Sequence, residues 1–148
     1  MTMGNVFVEQ RILGAIRGLL TGRVNELLRE VEFAIPIIEF DGYGCGYAAE
    51  PTIELSSCEL TEKERIIRRE AYTLAVTFSV SEMPESDLHC YAYSAAIGKA
   101  LEEDPTLGGV AEKVTVTSKK YHQPKKPGCG EGWGLSLVLR VTVEGMRE

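Results

Sequence analysis

The stretch of sequence that decides the fold is residues 72–80, which read YTLAVTFSV. Large apolar side chains occupy every second position, and small or hydroxyl-bearing side chains lie between them. Because successive side chains of a strand point to opposite faces of a sheet, this alternation predicts a strand with one buried face, as in antiparallel sheets. The residues on the apolar face are Tyr72, Leu74, Val76, Phe78 and Val80.

Further strands are predicted on both sides of this one. Residues 52–58 (TIELSSC) and 135–145 (LSLVLRVTVEG) read as strands, the second with strong alternation, and Val114 and Val116 alternate with threonines. Residues 35–38 favour a short strand. A glycine-rich loop, GYGCGY at 42–47, follows it. The highly charged residues 59–70 are predicted to form either an exposed hairpin tip or one helical turn.

Two segments have the apolar spacing of helices that pack on a core. The first runs from about Val6 to Val31, with a weak point at Thr21-Gly22 where the helix is expected to kink or split. The second runs from about Ser86 to Glu103, with Ser86 or Asp87 as its N-cap. The two helices and the strands between and after them follow the order of an α+β protein.

Residues 104–109, DPTLGG, are read as the signal that ends the second helix. Asp104-Pro105 stops the helix because proline disfavours helical geometry in the residue before it. Leu107 is expected to pack against the helix end, and Gly108-Gly109 allows the chain to turn into the next strand. The predicted fold is therefore two helices packed on one face of an antiparallel sheet of four or five strands, a two-layer sandwich formed by one domain over residues 1–148.

The bulk composition narrows the function classes. The chain has 148 residues, a formal net charge of −6 and a hydrophobic fraction of 44%, which is ordinary for a soluble globular domain. The acidic balance argues against a general nucleic-acid-coating protein, which needs a basic surface. Arg11 and Arg17 interrupt the apolar N-terminal stretch, so no signal peptide is expected, and no segment approaches the ~20 apolar residues of a membrane span.

Residues suited to metal binding or nucleophilic catalysis are few. A zinc site built from His89, Cys90, His122 and Cys129 is conceivable, but these residues lack the close paired spacing of structural zinc sites. A Cys-His hydrolase needs an orienting third group and an oxyanion hole, for which the sequence shows no signature. We therefore predict no catalytic residue, no metal ligand and no cofactor. The four cysteines, expected to be free thiols, are Cys45, Cys58, Cys90 and Cys129.

Residues 119–134 are predicted to form a long polar loop that mixes basic and aromatic side chains. Such a mixture can bind nucleic acid, but it serves protein interfaces equally well, and in an acidic protein the interface is the favoured interpretation. Trp133 is read either as a lid over the sheet edge or as an interface anchor. The predicted interface residues of this loop are Lys119, Lys120, Tyr121, Lys125, Lys126 and Trp133.

Glu102 and Glu103 complete the predicted interface. They lie at the C-terminal end of the second helix, where the helix dipole disfavours negative charge, and a cation from a partner would relieve this cost. A closed ring of identical subunits needs two different, complementary patches on each subunit. The basic loop is one candidate, and the other is an acidic patch formed by Glu59, Glu62, Glu64, Glu102 and Glu103.

The order of these segments resembles the tail terminator, or minor tail, proteins of long-tailed bacteriophages. The resemblance is carried by an N-terminal amphipathic helix, the proline-containing stretch IPIIEF at 35–40, a charged hairpin that leads into REAYTLAVTFSVSE at 69–82, and the terminal strand GLSLVLRVTVEG at 134–145. Between the last two lies ESDLHCYAYSAAIGKALEEDPTLGGVAEKVTVTS, a helix, a Pro-Leu stop and a strand. The resemblance covers most of the chain and rests on pattern and order.

What the resemblance implies is a structural virion protein. Such proteins close the head-proximal end of the tail tube as a ring, commonly a hexamer, which ends tube polymerisation and allows head-tail joining. The implied partners are further copies of the chain, the tail tube protein and the head-tail connector protein, in the virion tail after assembly in the host cytoplasm. No catalytic residue or small-molecule substrate carries over. The alternatives are another neck or tail completion protein, or a small metal- or nucleic-acid-binding module.

Overall fold

A computed structural model of the chain describes residues 7–32, 34–40, 49–63, 67–81, 83–126, 128 and 130–146. Within these residues, four strands form one sheet in the order β1-β2-β4-β3, with every neighbouring pair antiparallel. The predicted α+β class is confirmed. The strands are β1 (Thr52–Lys63), β2 (Ile67–Ser81), β3 (Lys113–His122) and β4 (Glu131–Met146).

The alternating apolar residues of β2 and β4 meet on one face of the sheet. Tyr72 lies opposite Val141, and the pairing continues in register to Phe78 opposite Leu135. Directly opposed residues of antiparallel strands share a face, so this register gathers the large side chains of both strands on the same side. All of them are almost fully buried: Tyr72, Leu74, Val76, Phe78, Leu135, Leu137, Leu139 and Val141.

Two helical segments supply most of the remaining core. The first consists of α1 (Val8–Leu19), a π-helical turn (Leu20–Val24) and α2 (Asn25–Arg29), and the second is α3 (Ser86–Glu103). One hydrophobic core contains buried residues of both segments and of the apolar face of the sheet. Within α3, Tyr93 stacks on Phe78 of β2 with ring centroids 4.5 Å apart.

The π turn follows from the spacing of the apolar residues. Positions four apart drift steadily around a regular α-helix, because one turn takes 3.6 residues. A wider π turn in the middle of the segment takes up part of this drift and keeps both ends directed at the core. Thr21-Gly22, the predicted weak point, lies inside this turn, and the segment neither splits nor stops there. The buried residues at steps of four are Ile12, Ile16, Leu20, Val24 and Leu28.

The predicted strand at residues 35–38 is wrong. Residues 34–40 join no strand of the sheet; Ile38 forms a bridge with Ala49. The reason is that a side chain satisfies the Ile38 backbone: the Asn25 amide accepts from Ile38 N at 2.7 Å and donates to Ile38 O at 2.8 Å. The GYGCGY stretch lies outside the described residues.

Of the charged residues 59–70, residues 59–63 and 67–70 belong to the paired strands β1 and β2, so the helical-turn alternative is wrong for them, and residues 64–66 lie outside the described residues. The predicted loop at residues 119–134 is also wrong in its bounds, because β3 continues to His122 and β4 begins at Glu131. A register shift between Val116 and Ser118 adds one residue to β3, after which pairing resumes. Four of the predicted interface residues are therefore strand residues: Lys119, Lys120, Tyr121 and Trp133.

The ends of α3 agree with the sequence except at the cap. The N-cap is Glu85 and carries no side-chain cap, while the Ser86 hydroxyl accepts a hydrogen bond from Trp133 N at 3.3 Å. The helix ends at Glu103 as predicted. Both carboxylate oxygens of Asp104 accept from Gly108 N, at 2.9 and 3.1 Å. Leu107 is buried in the hydrophobic core in spite of a φ of +53°.

Candidate subunit interface

Glu103 at the end of α3 is already paired within the chain. Arg23 from the π turn donates from Nε to Oε1 at 2.7 Å and from Nη2 to Oε2 at 3.1 Å, and it also contacts Glu26 at 3.2 Å. This pairing lowers the pKa of Glu103 and raises that of Arg23. The cation expected from a partner is therefore supplied by Arg23 of the same chain.

Glu102 lines an open groove instead. The groove has a volume of about 570 Å³ and runs between the C-terminal half of α3 and strand β3. Lys119 lines the same groove. Glu102 and Lys119, which were predicted to belong to two complementary patches, therefore lie beside one groove of the same molecule. The groove walls also include Gly98, Leu101, Pro105, Val114 and Val116.

Tyr121 turns toward the helices because of the register shift in β3. It lies opposite Leu135, on the helix side of the sheet, and its hydroxyl is 3.1 Å from Ser94 Oγ of α3. Its ring packs edge-to-face on Tyr91 with centroids 5.2 Å apart. Tyr91 and Tyr121 nevertheless stay 43% and 39% exposed, so they form an aromatic surface at this edge of the sheet.

The remaining predicted interface residues occupy two different environments. Lys125 and Lys126 are exposed in the segment between β3 and β4. Trp133 is partly buried and packs against the hydrophobic core, and its backbone N–H is bound to Ser86. This packing agrees with the interpretation of Trp133 as a lid rather than as an interface anchor.

The predicted acidic patch is divided by the fold. Glu59 lies on β1, which is one edge of the sheet, whereas Glu102 lies beside β3, which is the other edge. The side chains of Glu62 and Glu64 lie outside the described part of the chain. The structure therefore keeps Glu59 apart from the acids at the end of α3.

The histidine and cysteine candidates for chemistry are also dispersed. His89 and Cys90 are buried in α3, while His122 is exposed on β3 with Nε2 3.3 Å from Ser136 Oγ. Burial raises the pKa of the Cys90 thiol to about 11, so the thiol stays protonated near neutral pH. Among the described residues, which omit Cys129, no group of three or more His, Cys, Asp or Glu side chains could hold a metal ion.

One polar cluster has no local signal in the sequence. At the hairpin end of the sheet, the Tyr72 hydroxyl donates to Glu70 at 2.8 Å and the Cys58 thiol donates to the same carboxylate oxygen at 3.4 Å. Desolvation, followed by the neighbouring carboxylate, raises the pKa of both Cys58 and Tyr72. The cluster stabilises the neutral thiol and phenol, which is the opposite of what a nucleophile needs.

The two edge strands differ in charge, a feature that appears only once the strand order is known. On β3, Lys113, Lys119 and Lys120 are all exposed. On β1, Glu54 and Glu59 are exposed. An edge strand presents backbone N–H and C=O groups that can pair with another chain. The molecule therefore has two pairing edges of opposite charge.

Helices long and apolar enough to cross a membrane are absent from the described residues. No family model matches the sequence, and no curated protein matches it.

Proposed function

We propose that this protein is a structural subunit of a long-tailed bacteriophage or prophage, a tail terminator that closes the head-proximal end of the tail tube as an oligomeric ring. The observation that carries the proposal is the pair of sheet edges with opposite charge, β1 with Glu54 and Glu59 and β3 with Lys113, Lys119 and Lys120. Two different, complementary surfaces on one subunit generate head-to-tail contacts, and such contacts close into a ring when the rotation allows it.

The order of elements supports the same proposal. The long amphipathic helix, the β1–β2 hairpin, α3 and the β3–β4 pair follow one another as in the pattern on which the resemblance to tail terminators rests. In this proposal the two faces of the ring that are left after subunit contacts meet the tail tube protein on one side and the head-tail connector protein on the other.

The placement of the two cysteines that the structure describes supports a structural role over an enzymatic one. Cys90 is fully buried with a raised pKa, and the Cys58 thiol donates a hydrogen bond to Glu70. A nucleophilic cysteine needs the reverse, a lowered pKa and access to substrate. The surroundings of Cys58 and Cys90 therefore suit a structural role and not a nucleophilic one.

The proposal is tested by following assembly directly. Sedimentation velocity over a wide concentration range, with negative-stain electron microscopy of the heaviest species, is expected to show rings of uniform diameter. Added to the polymerising tail tube protein of the same phage or prophage, the chain is expected to arrest tube growth, whereas an unrelated acidic protein of equal size is not. A monomer at every concentration that leaves tube length unchanged would overturn the proposal.

A further inference from the structure

We propose that neighbouring copies join edge to edge, with β3 of one copy hydrogen-bonded to β1 of the next, so that the sheet continues across each subunit boundary. This inference rests on the proposed ring and specifies its contact. The occupant of the β3 edge is a second copy of this chain, which differs from the earlier expectation that the loop around Lys125 and Lys126 docks on the acids of α3.

Strand direction permits this contact. The sheet contains four strands that alternate in direction, so β1 and β3 at its two edges run oppositely. A rotation about an axis roughly along the strands leaves their directions unchanged from copy to copy. The β1 strand that arrives beside β3 is therefore antiparallel to it, which continues the pattern within each subunit.

Each row across the sheet consists of four directly opposed residues, one from each strand, and on the face away from the helices one row ends in opposite charges. One row runs Glu59, Ala71, Thr142, Lys113. In what we call the level register, the neighbouring copy is rotated about the ring axis without any shift along the strands. Its Glu59 then lies beside Lys113, an opposite-charge cross-strand pair. Two other rows begin at Ser57 and Thr52 and end at Thr115 and Lys120. None of these junctions brings like charges together.

Of the three rows on the helix side, one begins at Ile53 and ends at Lys119, and the other two match in polarity. One runs Leu55, Leu74, Leu139, Val116, and the next begins at Cys58 and ends at Val114. The outer members Leu55 and Val116 are only partly buried in the isolated chain, and the contact covers both. If the sheet continues into the next copy, the apolar residues at the two ends of a row become neighbours across the subunit boundary and extend the apolar face.

The groove beside β3 and an exposed leucine on β1 add a second complementarity. Leu60 follows Cys58 on the helix side of β1 and is 50% exposed, the most exposed large apolar side chain among the described residues. The groove beside Val114 has apolar walls at Leu101 and Pro105. In the level register, Leu60 of the next copy lies at the Val114 end of this groove. An exposed apolar side chain matched to a pocket elsewhere on the same molecule makes a heterologous contact.

Electrostatics favours the β1–β3 contact over the two symmetric alternatives. A two-fold axis could pair β3 with β3 or β1 with β1, and both pairings are antiparallel. The first brings Lys119 and Lys120 of two copies together, and the second does the same with Glu54 and Glu59. Like charges across strands are destabilising, whereas the β1–β3 pairing sets acid against base.

A charge-swap experiment tests the contact. Glu59→Lys and Lys113→Glu each place like charges at every boundary, so either variant is expected to raise the concentration for half-assembly by about tenfold. The double variant Glu59→Lys/Lys113→Glu restores an acid-base pair between copies and is expected to assemble like the unmodified protein. Glu32→Lys, an exposed position at the end of the first helical segment, is the matched control for changed net charge. Circular dichroism and urea unfolding confirm that every variant is folded.

Cross-linking supplies a measurement that does not depend on charge. In a Cys58→Ser background, Ser57→Cys and Thr115→Cys together are expected to give a ladder of disulfide-linked oligomers on mild oxidation, ending at the size of the ring. Chains that carry only one of the two new cysteines are expected to give no ladder.

The outcomes distinguish the inference from the proposed function. Rings that assemble normally with each single reversal and yield no Ser57–Thr115 ladder overturn the edge contact and leave the ring standing. Dimers linked through Thr115→Cys alone show symmetric β3 pairing and also overturn it. Failure of the unmodified protein to form any ring overturns the proposed function itself.

Discussion

Arg23 and Glu103 form a two-pronged ion pair between segments 80 positions apart in sequence, with Nε–Oε1 and Nη2–Oε2 distances of 2.7 and 3.1 Å. The contact fastens the π turn of the first helical segment to the last turn of α3. It also places a cation beside the end of α3, where the helix dipole disfavours the carboxylate. Of the two adjacent acids, only Glu102 lies along the groove beside β3.

The first prediction concerns this ion pair. Arg23→Ala and Glu103→Gln are each expected to lower the free energy of unfolding slightly, and their effects are expected to be less than additive. Because both groups are exposed, the coupling shrinks in high salt. The pKa of Glu103 is lowered in the folded state, so its stabilisation is complete above the pKa of the unfolded chain and is lost as the pH falls through the folded pKa.

A double-mutant cycle by urea unfolding, at neutral and acid pH and in low and high salt, measures that coupling. Glu103→Gln is the internal control, because it removes the titrating group. Strictly additive effects in low salt at neutral pH would show that the ion pair contributes nothing.

The second prediction concerns Asn25, a buried side chain that holds residues 34–40 to the first helical segment. Its amide binds both backbone groups of Ile38 and also donates to Thr21 O at 3.2 Å. Asn25→Ala leaves the Ile38 groups without these partners, at a cost of about 1–3 kcal/mol for each buried group. Urea unfolding measures the loss, with the exposed neighbour Glu26→Ala as control. Equal small losses for both variants would contradict the role of Asn25.

The third prediction concerns Gly132, where β4 begins beside the end of β2. A Cβ atom at this position would lie 2.5 Å from Ser81 O and 2.8 Å from Val80 O. Both neighbours are backbone atoms, so Gly132→Ala is expected to destabilise the fold by about 1–3 kcal/mol. Gly14→Ala is the matched control: a Cβ there meets nothing within 4 Å, and replacing a helical glycine is expected to stabilise by about 0.5–1 kcal/mol. Similar unfolding midpoints for the two variants would refute the steric argument.

The fourth prediction concerns the buried imidazole of His89. Its Nδ1 has no hydrogen-bond partner among the described residues, and burial lowers its pKa below the ordinary value of 6.5. As the pH falls below that value, the unfolded chain takes up a proton before the folded chain does, so stability decreases. His89→Leu is expected to be at least as stable at neutral pH and to lose less stability on acidification. Parallel losses between pH 7.5 and 5.5, measured by urea unfolding, would rule this out.

Sequence patterns predicted most of the fold because the two central strands, β2 and β4, each have one fully buried face. In β2 and β4 the alternation is carried by residues such as Leu74 and Leu139, and burial on one side leaves no second interpretation. The interior of α3 and its end at Glu103 are equally predictable, because Asp104-Pro105 follows Glu103. Local sequence is sufficient to predict an element where one local feature, such as an alternating apolar face or a proline after a helix, determines its structure.

The interface side of the molecule was harder to predict because edge strands resemble loops. Lys119 and Lys120 are polar since they lie at a sheet edge, and the register shift before Ser118 interrupts the alternation that would have marked a strand. The Arg23–Glu103 pair and the Asn25–Ile38 contact depend on tertiary packing, which no local pattern reports. Strand order, which brings opposite charges to the two edges, is likewise a property of the whole fold.

The π turn has a consequence for how this helical segment tolerates insertions and deletions. It holds one residue more than a regular helix of the same path, so deletion of Gly22 would shorten the step between Leu20 and Val24 from four residues to three. That step suits an uninterrupted α-helix with the same buried stripe. A homologous chain with one residue fewer at this point would keep the same buried residues. A one-residue alignment gap at the π turn would therefore leave the core unchanged.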